Sequence, residues 1–297
     1  LERTGFGAPL VSIKKLKGKT RRQGVQIIVD GLQRNSWNPP PSWVREVSPP
    51  YWARGDMEEP EKQKFNMARD REMGEFRMWW VKEMIETPSP QTERLVLFWH
   101  NHFVSTYPAL DEKSTSLARQ NLMFRRQGSG NFRVMLKEII RDAAMLNYLD
   151  NDNNKRNAPN ENLARELLEL FTLGEGNYDE HTVKEAARAL TGYRTNELKD
   201  LSFEISPWDQ DRGLKNILGS WGFHDGDDLI DLILEQPSAS EFITRKFWRH
   251  YVSEFQYNET EIRALLKRQL HEPTPDVRTL VADCPKDLAD FVRIATE

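Results

Sequence analysis

Apolar residues recur at intervals of three and four along most of the chain, which predicts a series of amphipathic helices. Ser12 to Leu32 reads as a helix approach and a helix, with Val25, Ile27, Ile28 and Leu32 inward. From Glu61 to Glu86, Met73, Phe76, Trp80 and Met84 keep helix spacing, and Pro88 and Pro90 end the segment. Thr92 is placed to cap the next helix, which carries Leu95, Val96, Trp99 and Phe103. Leu117 to Arg126 and Phe132 to Tyr148 continue the series across a Gly128-Ser129-Gly130 turn. Asp179 is placed to cap a helix with Val183, Ala186, Ala187 and Leu190 inward and Gly192 past its end. Helices resume at Asp227 to Glu235 and Ser240 to Glu254, and Glu259 to Glu297 is helical with weaker patterning.

Two stretches break this rhythm. Asn35 to Pro60 interleaves Pro39-Pro40-Pro41 and Pro49-Pro50 with Trp37, Trp43, Tyr51 and Trp52. Proline excludes regular helix there and favours extended chain. The segment is expected to be a belt whose aromatics pack back onto the domain, against the alternative of a recognition arm. In Leu201 to Gly222, Phe203 and Ile205 alternate with polar residues, and Ile217-Leu218-Gly219 follows a polar run. That pattern predicts a β-hairpin or a small flap near 201–219. The expected fold is mainly α: one multi-helix domain over 1–297, with the belt at 35–60 and no internal repeat.

The densest polar constellation lies in Met145 to Leu173, read as a helix end, an Asp/Asn-rich loop and a second amphipathic helix. Glu161, Arg165, Glu166 and Glu169 share one side of that helix, and Leu163, Leu167, Leu168, Leu170 and Phe171 fill the other, while Gly174 and Gly176 stop it. The structural reading makes Glu161 and Arg165 an ordinary surface pair four residues apart. The functional one makes the group a buried network facing His100, His102 or the segment from Asp209 to Lys215, with paired carboxylates for acid–base work. The structural reading is preferred.

The loop itself matches a metal frame. Asp150, Asp152 and Asn154 fall at positions one, three and five, and Glu161 at position twelve, of the helix–loop–helix calcium motif. Oxygen ligands at this spacing wrap a hard cation, so calcium is the cofactor this loop suggests. Position six wants glycine for a sharp turn and holds Lys155. That departure makes the preferred reading a connection whose Asp and Asn side chains cap helices and satisfy loop amides, with calcium as the alternative. His100 and His102, two apart on a helix, point to different sides and cannot share one metal without a break, so core histidines are the preferred reading. In His224-Asp225-Gly226-Asp227-Asp228, Asp225 or Asp227 is expected to cap the following helix.

Composition narrows the function classes. The 297 residues carry a net charge of −4 with interleaved signs, so the basic footprint of a nucleic-acid binder is absent. The short doublets Lys14-Lys15 and Arg125-Arg126 read as solvated helix faces. One cysteine, Cys284, rules out an intramolecular disulfide and a thiolate zinc site. No apolar run reaches membrane-spanning length. The chain starts at Leu1 without Met, which is compatible with a removed leader. Nucleophile-elbow, phosphate-loop, dinucleotide and zincin patterns are all missing.

The run from Pro159 to Gly174, Gly176-Asn177-Tyr178, and Val183 to Gly192 resembles the signature of the bacterial domain-of-unknown-function family number 1800. Arg3 to Gly7, Trp99-His100-Asn101-His102-Phe103 and Phe242 to Val252 support the likeness, which spans nearly the whole chain. The resemblance implies a helical fold and no established activity. It implies export, hence an exported or periplasmic location. It also implies a protein partner from a second family, number 1501, which resembles the alkaline phosphatase and sulfatase fold. Gln210 stands where the family pattern His-Asp-x-Gly-x-Lys has histidine, which weakens any histidine-based site at the flap. The chain ends sooner than most members, so C-terminal helices are expected to be missing. The leading expectation is a helical scaffold or accessory protein acting with a partner. The alternatives are a metal-assisted hydrolase using the Glu, His and Asp cluster, and structural calcium binding.

Overall fold

The computed structural model describes residues 4–7, 10–251 and 260. The chain enters through α1 (Leu10–Leu16) and α2 (Arg21–Asp30), then crosses the belt to the long helix α3 (Glu59–Glu86). Helices α4 (Pro90–His102) and α5 (Ser114–Gln127) pack against it. Next come α6 (Phe132–Ile139), α7 (Ala143–Tyr148), the central α8 (Asn162–Glu166) and α9 (Glu180–Ala189). Two antiparallel hairpins follow, β1 (Tyr193–Asn196) with β2 (Ser202–Ile205) and β3 (Lys215–Ile217) with β4 (Ser220–Gly222). Helices α10 (Gly226–Leu234) and α11 (Pro237–Tyr251) complete the described elements. The mainly α expectation is met, and the hairpin region is two hairpins rather than one flap, beginning at Tyr193. Among the described residues no helix is long and apolar enough to cross a membrane.

Trp99 is the centre of the main core. Its ring stacks on Phe103 and Phe132 and meets Phe247 edge-on. The indole N–H donates to the carbonyl of Gly128 at 2.9 Å, and a Cβ on Gly128 would stand 2.6 Å from the ring. Only glycine allows that approach. A second cluster, built from Val44, Met73, Phe76, Trp79, Tyr107 and Ala118, joins α3 and α5 to the belt.

Side-chain caps set several boundaries. Asp179 accepts the Thr182 N–H at 2.7 Å, as expected, and Val183, Ala186, Ala187 and Leu190 are all buried. Asp225 caps α10, accepting from Asp227 and Asp228, while Asp228 returns a bond to the Asp225 N–H. Asp142 caps α7 and splits the expected continuous helix from Phe132 to Tyr148 into two. Thr92 lies inside α4 rather than at its cap; its hydroxyl accepts the Gln33 N–H at 2.9 Å. Belt residues Val44 and Tyr51 are buried and Trp43 is half-buried, whereas Trp37 and Trp52 remain exposed. The belt also contains two short 3-10 turns, Ser42–Val44 and Tyr51–Asp56, where extended chain was expected. The expected helix over 259–297, Cys284 and the end of the helix to Glu254 lie outside the described residues, apart from residue 260 itself.

Candidate functional site

The loop after α7 is built by its own amides. Asp150 takes a left-handed conformation at φ 56°, which Asp tolerates better than most residues. The sharp turn is therefore made at the first position of the calcium frame, while Lys155 pairs with Ala158 in an isolated bridge. Asp150 accepts from Asn153 and Asn160. Asp152 accepts the Thr195 N–H at 2.8 Å and an Asn147 amide at 2.6 Å, and burial raises its pKa. Asn154 turns inward, donating to the Ala187 carbonyl at 2.9 Å and accepting the Asn160 N–H at 2.9 Å. Asn151 is likewise inward, on the Tyr193 carbonyl at 2.7 Å. Among the described residues no three His, Cys, Asp or Glu side chains gather as a metal-binding group.

Helix α8 carries the acidic constellation outward. Arg165 bonds Glu161 at 2.9 Å and, from the other prong, Glu180 of α9 at 2.8 Å. Glu169 accepts the Tyr178 hydroxyl at 2.9 Å, and burial, with the neighbouring Glu169 second, raises the pKa of Glu166. Leu163, Leu167, Leu168 and Phe171 are buried as expected, but Leu170 is 48% exposed. The cause is a π-helical stretch, Leu167–Thr172, in which the Leu173 N–H reaches back five residues to Leu168 at 2.8 Å. The wider turn rotates Leu170 off the apolar face.

The two histidines serve different surroundings. His102 is buried, with Nε2 on the Phe171 carbonyl at 3.0 Å and its ring stacked on Phe98. Burial, then the nearby Lys246 charge, lowers its pKa well below the ordinary value. His100 is half-buried between Trp80 and Phe124, with Nε2 3.0 Å from the Asn121 amide. Burial and the Arg125 charge lower its pKa to about 3. Both imidazoles are therefore neutral at physiological pH. Among the described residues neither ring is hydrogen-bonded to Glu161, Glu166, Asp150 or Asp152; their partners are the Phe171 carbonyl and the Asn121 amide.

A fully buried ion-pair network lies elsewhere. Arg125, read from sequence as one half of a solvated doublet, is fully buried, while Arg126 stays half-exposed. Its guanidinium grips Glu93 with both prongs, the second at 2.8 Å, and lies over the Trp79 ring. Glu83, equally buried, sits 3.9 Å away and accepts the backbone N–H groups of Trp37 at 2.7 Å and Asn38 at 2.5 Å. Trp80 donates to Glu93 at 3.0 Å, and Asn121 links Arg125 to His100. This network ties α3, α4 and α5 to the start of the belt. Its only sequence signal was two acids and an arginine at helix positions that look polar.

A cleft of about 260 Å³ opens beside α5 and α6, lined by Ser116, Arg119, Arg126, Glu138, Arg141 and Asp142. Asp142 is half-buried, accepts from Gln120 at 2.8 Å and the Met145 N–H at 2.9 Å, and its carboxyl is pushed up to about 7 by desolvation. Arg119 is committed to the belt and to Asp200, and Arg141 to Asp227. None of the candidate site residues lines this cleft.

The segment after β2 is also tied inward. Arg188 of α9 bonds Asp211 at 2.7 Å and Glu185 at 2.8 Å. Lys215 is buried, with its ammonium on the carbonyls of Asp211 at 2.8 Å and Gly213 at 3.1 Å, and burial lowers its pKa. Gln210, at the histidine position of the family pattern, accepts from Arg212. Gly192, at φ 78°, lets this segment approach: a Cβ there would meet the Ser206 carbonyl at 2.8 Å.

Residues 1–284 match the family model described as "Protein of unknown function (DUF1800)", and the chain belongs to that family. No curated protein matches the chain. No solved structure matches it either.

Proposed function

We propose that this member of the DUF1800 family is a helical scaffold or accessory protein, folded as one helical domain, that presents the outer face of the β3–β4 hairpin to a protein partner. One observation carries the reading. Asn216 lies opposite Trp221, and Lys215 opposite Gly222. Alternation along the strands then puts Asn216 and Trp221 on one face and Lys215 and Ile217 on the other, with Leu214 and Phe223 flanking the strand ends. The inner pair is buried, whereas Leu214, Trp221 and Phe223 are 50%, 68% and 75% exposed. Two aromatic rings and a leucine side by side in water form the kind of surface that marks a binding site.

The chemistry-bearing residues of the centre support the same reading, because they are spent internally. Asp150, Asp152, Asn154, Glu161 and Arg165 each have partners within the fold, and both histidines are held by it. The partner we propose is a protein of family number 1501, the one implied by the family resemblance. Lys215, anchored beneath the hairpin, and Ile217 hold the aromatic face in place.

Co-expression with a family 1501 protein and affinity purification through a tag on this chain tests the proposal. The wild type is expected to carry the partner through, and Trp221→Asp with Phe223→Asp to release it while keeping the wild-type circular dichroism. Retention of the partner by the double variant, or no capture by the wild type, overturns the reading.

A further inference from the structure

Helix α3 is 28 residues long and buries only one side, through Met73, Phe76, Trp79 and Glu83. The opposite side carries Gly74, Met78, Val81 and Ile85. These positions follow the four-three-four spacing of a two-helix seam. Met78, Val81 and Ile85 are 69%, 48% and 77% exposed. Gly74 is the odd member. Glycine within a helix costs about 1 kcal/mol relative to alanine, and here a Cβ would meet nothing within 4 Å. Among the described residues nothing fills that space, which leaves room along the seam for a side chain of a second helix.

We propose that this face of α3 binds α3 of a second copy of the chain, antiparallel. Charge on the flanks selects the partner and the direction. Glu75 and Lys82 border the seam on one side, Asp70 and Arg77 on the other. In a parallel pair the two flanks face each other, setting Asp70 against Glu75 and Arg77 against Lys82, which is repulsive throughout. In an antiparallel pair each flank faces itself. The register that seats Met78 on Val81, and Ile85 in the gap at Gly74, places Glu75 opposite Lys82 of the other copy, twice by symmetry. The four layers of that register are apolar. Glu75 is steadied by the Trp43 indole N–H at 3.2 Å, and Lys82 stands 3.8 Å from Glu86, so both heads already lie at the surface. The face is separate from the β3–β4 hairpin and does not depend on the role proposed for it.

Sedimentation equilibrium of the whole chain over a range of concentrations tests the pairing. The wild type is expected to be a reversible monomer–dimer system and Val81→Glu, an exposed position, a monomer with unchanged circular dichroism. Glu75→Lys or Lys82→Glu alone should each weaken dimerisation roughly tenfold, since two attractive pairs become repulsive. The double exchange Glu75→Lys with Lys82→Glu should restore it. A wild type that stays monomeric, a Val81→Glu protein that still dimerises, or a double exchange no tighter than the singles would overturn the proposal.

Discussion

Arg125 and Arg165 are the same side chain at two places in the helical fold, each facing two carboxylates. Arg125 is buried with Glu93 and Glu83, whereas Arg165 lies at the surface with Glu161 and Glu180. Water decides what each is worth. Around Arg165, solvent already stabilises every charge, and the ion pairs add little. Around Arg125, solvent is absent, so each carboxylate depends on the guanidinium and on the N–H groups aimed at it. The constellation that looks densest in the sequence is thus the weaker of the two.

Removing each cation breaks or sharpens the contrast. Arg125→Met leaves Glu83 and Glu93 buried without a cation and should cost about 3–5 kcal/mol of stability, or prevent folding. Urea unfolding measures it, and a loss below about 1 kcal/mol would mean that the carboxylates find water or protons easily.

Asp142 is the intermediate case, a half-buried carboxyl whose hydrogen bonds come from the Gln120 amide and the Met145 N–H. Its folded pKa of about 7 lies above the ordinary carboxylate value. Its contribution is therefore present at low pH and lost as pH rises through about 7. His100 and His102, with lowered pKa values, act oppositely: their contribution is present above the ordinary histidine value and lost as pH falls below it. Asp142 thus offsets part of the acid loss due to the histidines. Asp142→Asn, which can still cap α7, should show a steeper fall in stability from pH 8 to pH 5, by at most about 3 kcal/mol. Melting temperatures across that range check it, and parallel profiles would refute the buried titration. Smallest of all, Arg165→Ala should cost less than about 1 kcal/mol, read in the same urea experiment.

The fold was largely legible because period and capping report backbone geometry directly. Asp179, Asp225 and the small-residue face of α9 behave as read. The reading failed where a local rule yields to tertiary context. Leu170 keeps perfect α spacing, yet the π-helical stretch turns it outward. Arg125 sits beside Arg126 in an ordinary doublet, and only the arrival of α3 and α4 determines which of the two is enclosed. Glu83 and Glu93 have the same difficulty, since a carboxylate at a helix position carries no mark of its burial. The calcium frame rests on the spacing of Asp150, Asp152, Asn154 and Glu161, and spacing fixes neither the turn at position six nor the side chains' directions. In this fold the amides of Asn147, Asn153 and Asn160 bond the carboxylates of Asp152 and Asp150.

On the proposed reading the charged face of the central helix takes no part in binding, and the hairpin face receives the partner. Calorimetric titration of a family 1501 partner into three proteins compares the two regions directly: wild type, a central variant with Glu161→Gln and Glu166→Gln, and a hairpin variant with Trp221→Asp and Phe223→Asp. Wild-type affinity is expected for the central variant and loss of detectable binding for the hairpin variant. Lost binding in the central variant with affinity retained by the hairpin variant would contradict that reading.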